Sequence, residues 1–257
     1  MANRTRYIVA FTLLSIAAAL LLPAMPQPAE YHNFADRRTG LGNENFLDVV
    51  SNVAFLLAGL AGLLVVLRPR TRFASDAERW PYAIFFAGVL LTAVGSAYYH
   101  LAPDNERLFW DGLPITIGLM ALIAAQIVDR INARAGLVLL APMLLVGAAT
   151  TVFWIATERA GAGNIVPYVV MQGYAVVILL VIALLYPSRY TRGEDVYWVL
   201  AAYVIAKLFE LFDKEVFTLG NLVSGHTPKH LAAAAACVVA CRMLWLRTLR
   251  ESPAPSF

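Results

Sequence analysis

Apolar positions along the chain fall into eight long blocks, at about 6–23, 47–67, 81–101, 112–129, 135–155, 166–186, 195–212 and 227–247. Most of them reach the roughly 17–25 residues with which a helix crosses a hydrocarbon core. Polar residues gather in the breaks: PAMPQPAEYHNFADRRTGLGNEN, RPRTRFASDAERWP, APDNERLFWD, DRINAR, TERAGAGN, YPSRYTRGED and DKEVFTLGNLVSGH. Pro, Gly and Asn there mark helix stops, caps and turns. The pattern predicts an all-α polytopic transmembrane helix bundle of about eight spans, in one domain without a long polar linker, a strong repeat or low complexity. A basic start before an apolar stretch also fits a cleaved signal peptide. The block at 6–23 is long for that and no clean A-x-A site follows, so it is read as a retained helix. The closing ESPAPSF, 251–257, reads as a flexible tail.

Composition agrees with the pattern. The chain is 60% hydrophobic and 14% charged, where soluble domains are about 45–50% apolar and about 25% charged. The net charge of +3 is less informative than its distribution. Lys and Arg favour the cytoplasmic side of short loops. With the N-terminus inside, the inner side receives Arg4, Arg6, Arg68, Arg70, Arg72, Arg79, Arg130, Arg134, Arg189, Arg192, Arg242, Arg247 and Arg250. Every inner break then holds at least two arginines, and both termini are expected in the cytoplasm. Scattered basic residues exclude a nucleic-acid footprint, and nothing calls for an obligate protein partner. Cys237 and Cys241, four apart on one helix face, read as packing residues. Two cysteines make no disulfide framework.

That topology brings distant polar residues to one depth. Ser96 and His100 close the third block, Asp111 opens the fourth, and His226 and His230 open the eighth, all at the outer end. Residues at i and i+4 share a helix face, so His226 and His230 can chelate one ion. His100 from another helix completes three protein ligands with an open fourth position, the pattern of catalytic zinc. In that position a zinc ion lowers the pKa of water to about 7. Asp111 is placed to move the proton and Ser96 to steady a developing oxyanion. The bland reading treats each histidine as an interfacial polar residue. A rival reading uses paired histidines for haem, and leaves Ser96 and Asp111 unexplained. His32 is read as a solvated loop residue. Tyr98, Tyr99, Phe109, Trp110, Trp154, Tyr168, Tyr197 and Trp198 lie at block ends and read as an interfacial belt.

More polar residues share this side. Asp48, Ser51 and Asn52 open the second block; Lys207, Glu210 and Asp213 recur three apart on the seventh. Lys–Glu at i, i+3 often means mutual neutralisation, whereas ionisable groups inside spans default to function. Asn52, Asp48, Lys207, Glu210 and Asp213 are therefore candidates for buttressing, for supporting a metal-bound histidine or for touching substrate. Pro228 is compatible with the i, i+4 pair only if the last helix begins at His226 with Gly225 as cap.

The ordered elements VVSN, GSAYYH, WDGLP and GHTPKH, with PYVVMQ and YVIAKLFELFDKEVF, resemble the alkaline ceramidase family, within the larger group that includes adiponectin-receptor-like proteins. The resemblance covers about residues 30–247. It implies a seven-helix core at 30–250, preceded by an extra N-terminal helix and loop at 1–29. It implies zinc on His100, His226 and His230, with Asp111 as acid and base and Ser96 as polar helper. It implies hydrolysis of a ceramide-like lipid amide to a long-chain base and a fatty acid, with a membrane lipid as the partner. The alternative is a lipid-binding sensor or receptor with a structural zinc. Eukaryotic alkaline ceramidases carry an acidic calcium-binding stretch before their first core helix. Here FADRRTGLGNENFLD has Asp36, Glu44 and Asp48 but not the Asp-Trp…Glu…Asn pattern, which leaves calcium without support.

Overall fold

The computed structural model describes residues 2–250; the expected tail at 251–257 lies outside them. Among the described residues there are ten α-helices and no β-strand. They are α1 (Ala2–Leu21), α2 (Phe46–Val50), α3 (Val53–Leu67), α4 (Trp80–Leu101), α5 (Asn105–Arg130), α6 (Ala133–Arg159), α7 (Val166–Leu185), α8 (Asp195–Leu211), α9 (Asp213–Thr218) and α10 (His226–Leu246). Among the described residues, seven helical stretches are long and apolar enough to cross a membrane, α2 and α3 counting together as Phe46–Leu67. The seventh block, at 195–212, forms α8, whose 17 residues leave it outside these seven. It stops where Phe212 leaves helical geometry (φ −102°, ψ 33°), and α9 restarts at once. The protein is an all-α polytopic bundle.

Helix α5 is its axis. Two-thirds (67%) of its most apolar window is buried, against none of that of α1. Asp104 starts α5 by accepting the Arg107 backbone N–H at 2.7 Å, and Asn132 does the same for α6 through Ala135 at 2.9 Å. Helix α1 lies against α7 through stacking of Phe11 on Tyr174 and a 3.0 Å contact between the hydroxyls of Thr12 and Tyr174. At the far end of α5, Asp129 pairs with buried Arg247, the residue after α10, at 2.6 Å and accepts from Tyr82 of α4 at 2.6 Å. Phe73, Tyr82 and Tyr190 ring the Arg247 guanidinium. This network ties three helices together about 27 Å along α5 from Asp111, at 1.5 Å per residue.

One glycine sets the spacing near the other end. A Cβ on Gly95 of α4 would lie 2.1 Å from the Trp110 carbonyl oxygen of α5 and 3.3 Å from the Asp111 nitrogen. That carbonyl is the one Pro114, lacking an N–H, cannot serve within α5. Gly95 therefore lets α4 close onto α5 where Ser96 meets Asp111. Gly95→Val is expected to force the helices apart at an overpacking cost of about 1–3 kcal/mol. Thermal unfolding in detergent checks this; an unchanged midpoint would show that the helices have room to spare.

Candidate metal centre

The three histidines arrive from two helices. His100 lies in the last turn of α4, and His226 and His230 lie in the first two turns of α10. Helix α10 begins at His226 with Gly225 as cap, so Pro228 is the third helical residue and the Lys229 N–H still reaches the Gly225 carbonyl at 3.0 Å. A Cβ on Gly225 would sit 2.1 Å from the Phe209 carbonyl oxygen. Glycine thus seats this helix start on the end of α8. Asp213 then accepts the His226 backbone N–H at 2.8 Å and the Ala35 N–H at 2.9 Å.

One potential ligand atom from each of His100, His226 and His230 lies within 4.8 Å of the others, and all three side chains are buried. Ring centroids are 4.6 Å (His100–His226), 5.0 Å (His100–His230) and 4.9 Å (His226–His230) apart. Both ring nitrogens of His100 are buried without a hydrogen-bond partner. Buried polar atoms are normally satisfied, so this orphaned imidazole fits a metal ligand. An all-imidazole donor set suits a transition ion rather than calcium or magnesium. The residues present thus fit a metal ion.

The surroundings orient the rings. Ser51 donates its hydroxyl proton to the Asp48 carbonyl at 3.0 Å, and its oxygen lies 2.7 Å from His230 Nδ1. With its proton committed, Ser51 accepts Nδ1–H, which leaves the lone pair on His230 Nε2 for a metal. Asp48 is buried and holds the first turn of α10 through Thr227 at 2.8 Å. Asn45, at φ 62°, donates to the His100 carbonyl at 3.3 Å. Phe34 packs on His100 and His226 with centroids 4.7 and 4.5 Å away. Its loop is fastened by the Asp36–Arg38 pair at 2.5 Å and by Arg38 reaching the Leu222 carbonyl. Arg38 holds the Asp36 carboxyl below the usual carboxylate range. Ser51→Ala is expected to weaken metal binding about 10–100-fold, the usual effect of losing such a support. Chelator competition measures it, and unchanged affinity would remove Ser51 from the site.

Asp111 shares a cavity wall with His230 and with Ser96, whose hydroxyl favours its charged form, and its Oδ1 is buried without a hydrogen-bond partner. Below them opens a cavity of about 730 Å³. Ser96, Asp111 and His230 stand in its wall together with Phe85, Leu122, Leu179 and Cys237. This volume lies within the common range of ligand pockets. Asp111 and Leu122 are eleven residues apart on one helix, a depth of roughly 16 Å. The lining is mostly apolar.

Several expectations change. His32 is not a solvated loop residue: Nδ1 lies 2.9 Å from the Tyr99 hydroxyl and Nε2 2.9 Å from Asn105 Oδ1, so it joins its loop to α4 and α5. Tyr99 and Trp154 are buried rather than part of an interfacial belt, and Trp154 and Tyr168 line the cavity. Trp110 and Trp198 remain exposed, as a belt requires. Asn52 turns to its own chain, donating to the Asp48 carbonyl at 2.7 Å. Asp213 falls beyond the break at Phe212 and takes backbone N–H groups, not an imidazole. Lys207 and Glu210 do line the cavity and pair with each other. The supports that sequence reasoning left without a role are Ser51, Phe34 and Lys229. Ser51 alone had a signal, its place in VVSN beside Asn52.

Fold and site together define an all-α membrane protein with a buried three-histidine cluster that can hold a metal ion. Comparison with protein-family models finds no match, and comparison with curated proteins finds none either.

Proposed function

We propose that this protein is a zinc-dependent membrane hydrolase that cleaves the amide bond of a ceramide-like lipid, releasing a long-chain base and a fatty acid. The observation behind it is the cluster of His100, His226 and His230, with His230 and Asp111 in the wall of one largely apolar cavity. The likeness of GSAYYH, WDGLP and GHTPKH to alkaline ceramidases supports the choice of reaction. Three imidazoles would hold zinc, which when bound polarises a carbonyl and acidifies water.

The chain's own residues supply the rest. The cavity takes the acyl chain and brings the amide carbonyl to the histidine end. Asp111 accepts a proton from the attacking water, whose oxygen bonds to the carbonyl carbon. As the C–N bond breaks, the same carboxyl returns the proton to the departing nitrogen, so water is divided between acid and amine. Once Asp111 has taken the proton, Ser96 accepts from it and is free to turn its single hydroxyl proton to the carbonyl oxygen. The arginine-rich helix ends support a reading with both termini in the cytoplasm and the histidine cluster toward the non-cytoplasmic side.

The test is fatty acid release from an N-acyl lipid by the purified protein. Chelation is expected to abolish it and added zinc to restore it, with one ion per chain. Turnover by protein stripped of all metal would refute the reading. Zinc and lipid binding without turnover would identify a lipid sensor.

A further inference from the structure

In the cavity wall beside the histidine cluster, two lysines share one carboxylate. Lys229 Nζ lies 3.1 Å from Glu210 Oε1, and Lys207 pairs with Glu210 Oε2. Glu210 Oε1 also accepts the Tyr31 hydroxyl at 2.6 Å. Glu210 is thus fully engaged, and the three charged side chains carry one net positive charge. All three line the apolar cavity. Lys229 stands three residues after His226 and directly before His230, and its Nζ lies 3.3 Å from His226 Nε2. An ammonium and a metal ion cannot share one lone pair, so in a loaded site Lys229 belongs to Glu210 and the cavity. A bound divalent ion on neutral imidazoles adds to the positive charge, and Asp111 is the other carboxylate in the cavity wall.

A charge facing an apolar cavity is costly unless it is paired. Mutual neutralisation needs only one lysine for Glu210. With a divalent ion bound, the cations exceed what Glu210 and Asp111 neutralise, and Lys207, half-exposed, is free to meet the polar half of a lipid whose acyl chain fills the cavity. We propose that Lys207 and Lys229 recognise an anionic group, a carboxylate or a phosphate, on the amine half of the lipid amide. This rests on the hydrolase reading for the direction in which the lipid lies. It narrows the ceramide-like substrates to those whose amine half carries an acidic group. Lysine suits the task, being a compact charge on a flexible stem that can leave Glu210 for a ligand.

The experiment measures equilibrium binding to the full chain in detergent, loaded with zinc and carrying Asp111→Asn to prevent turnover. Four lipids with one acyl chain are compared: an N-acylglycine, an N-acylethanolamine, the phosphate ester of the latter, and the free fatty acid. The acidic amides are expected to bind at least about tenfold more tightly than the neutral one, as for a site with a dedicated polar partner. Comparison of the carboxylate with the phosphate decides between the two anions. Lys207→Met and Lys229→Met are expected to collapse that ratio. Glu210→Gln, which removes the competing carboxylate, is expected to enlarge it. A purely structural ion pair predicts the opposite, with all three variants losing stability and leaving the ratio unchanged. Equal binding of the three amides overturns the proposal. So does tight binding of the fatty acid alone, which assigns the lysines to the product. Because binding is read without turnover, a failed hydrolase assay leaves this result standing, and equal binding leaves the hydrolase reading standing.

Discussion

His230→Ala is expected to yield a folded chain with no stoichiometric metal and no measurable amide hydrolysis. His230 is one of only three imidazoles in the cluster, and the one whose tautomer Ser51 sets. Two imidazoles then remain. The loss of affinity should exceed the roughly 10–100-fold that follows from disturbing a supporting residue. A residual cavity beside Phe55, whose ring lies 5.8 Å from that of His230, adds a packing cost of about 1–3 kcal/mol. Elemental analysis of the purified variant gives the metal content, a fatty acid assay the activity, and thermal unfolding the stability. Loss of both metal and turnover in a cooperatively folding chain is the expected combination. A His230→Ala protein that hydrolyses lipid without metal would show that the reaction does not depend on the cluster.

Asp111→Asn is expected to leave metal binding and fold in place and to lower kcat by about 10²–10⁴, the range for losing a positioned acid and base. The amide keeps the shape of the carboxylate and can still meet Ser96, but it cannot carry a proton from water to a leaving nitrogen. The contrast with His230→Ala is the informative part. One variant loses metal and turnover together, and the other loses turnover alone. Ser96→Ala should fall between, because it removes an orienting hydroxyl and one donor while the carboxylate stays. Full activity in Asp111→Asn would move the proton-transfer role to another group and leave Asp111 as a wall residue.

Much of this site was legible in the linear pattern. Spacing put His226 and His230 on one face, and the alternation of apolar blocks put His100, Asp111 and His226 at one end of the bundle. Those inferences need only the helical repeat and the number of crossings between residues. The supporting contacts needed more. Asp213 looked like a third member of the Lys207–Glu210 face, because a periodic reading runs straight through Phe212, where the helix breaks. His32 looked solvated because a polar loop gives no sign that it folds back over Tyr99 and Asn105. Tyr99 and Trp154 looked interfacial because position along a helix does not reveal rotation about it.

By itself, the sequence determined the helical blocks, the class of protein, and which histidines and which aspartate share a depth. Hydropathy and helical periodicity are local properties, read from neighbours within a few turns. Only the tertiary structure decided which hydroxyl takes the His230 N–H, which ring closes over His100, and that two lysines surround Glu210 above the cavity. Those contacts join residues far apart in the chain, and they depend on helix rotation and close approach. Both are set by packing at points such as Gly95 and Gly225, where a single Cβ would collide with a backbone carbonyl.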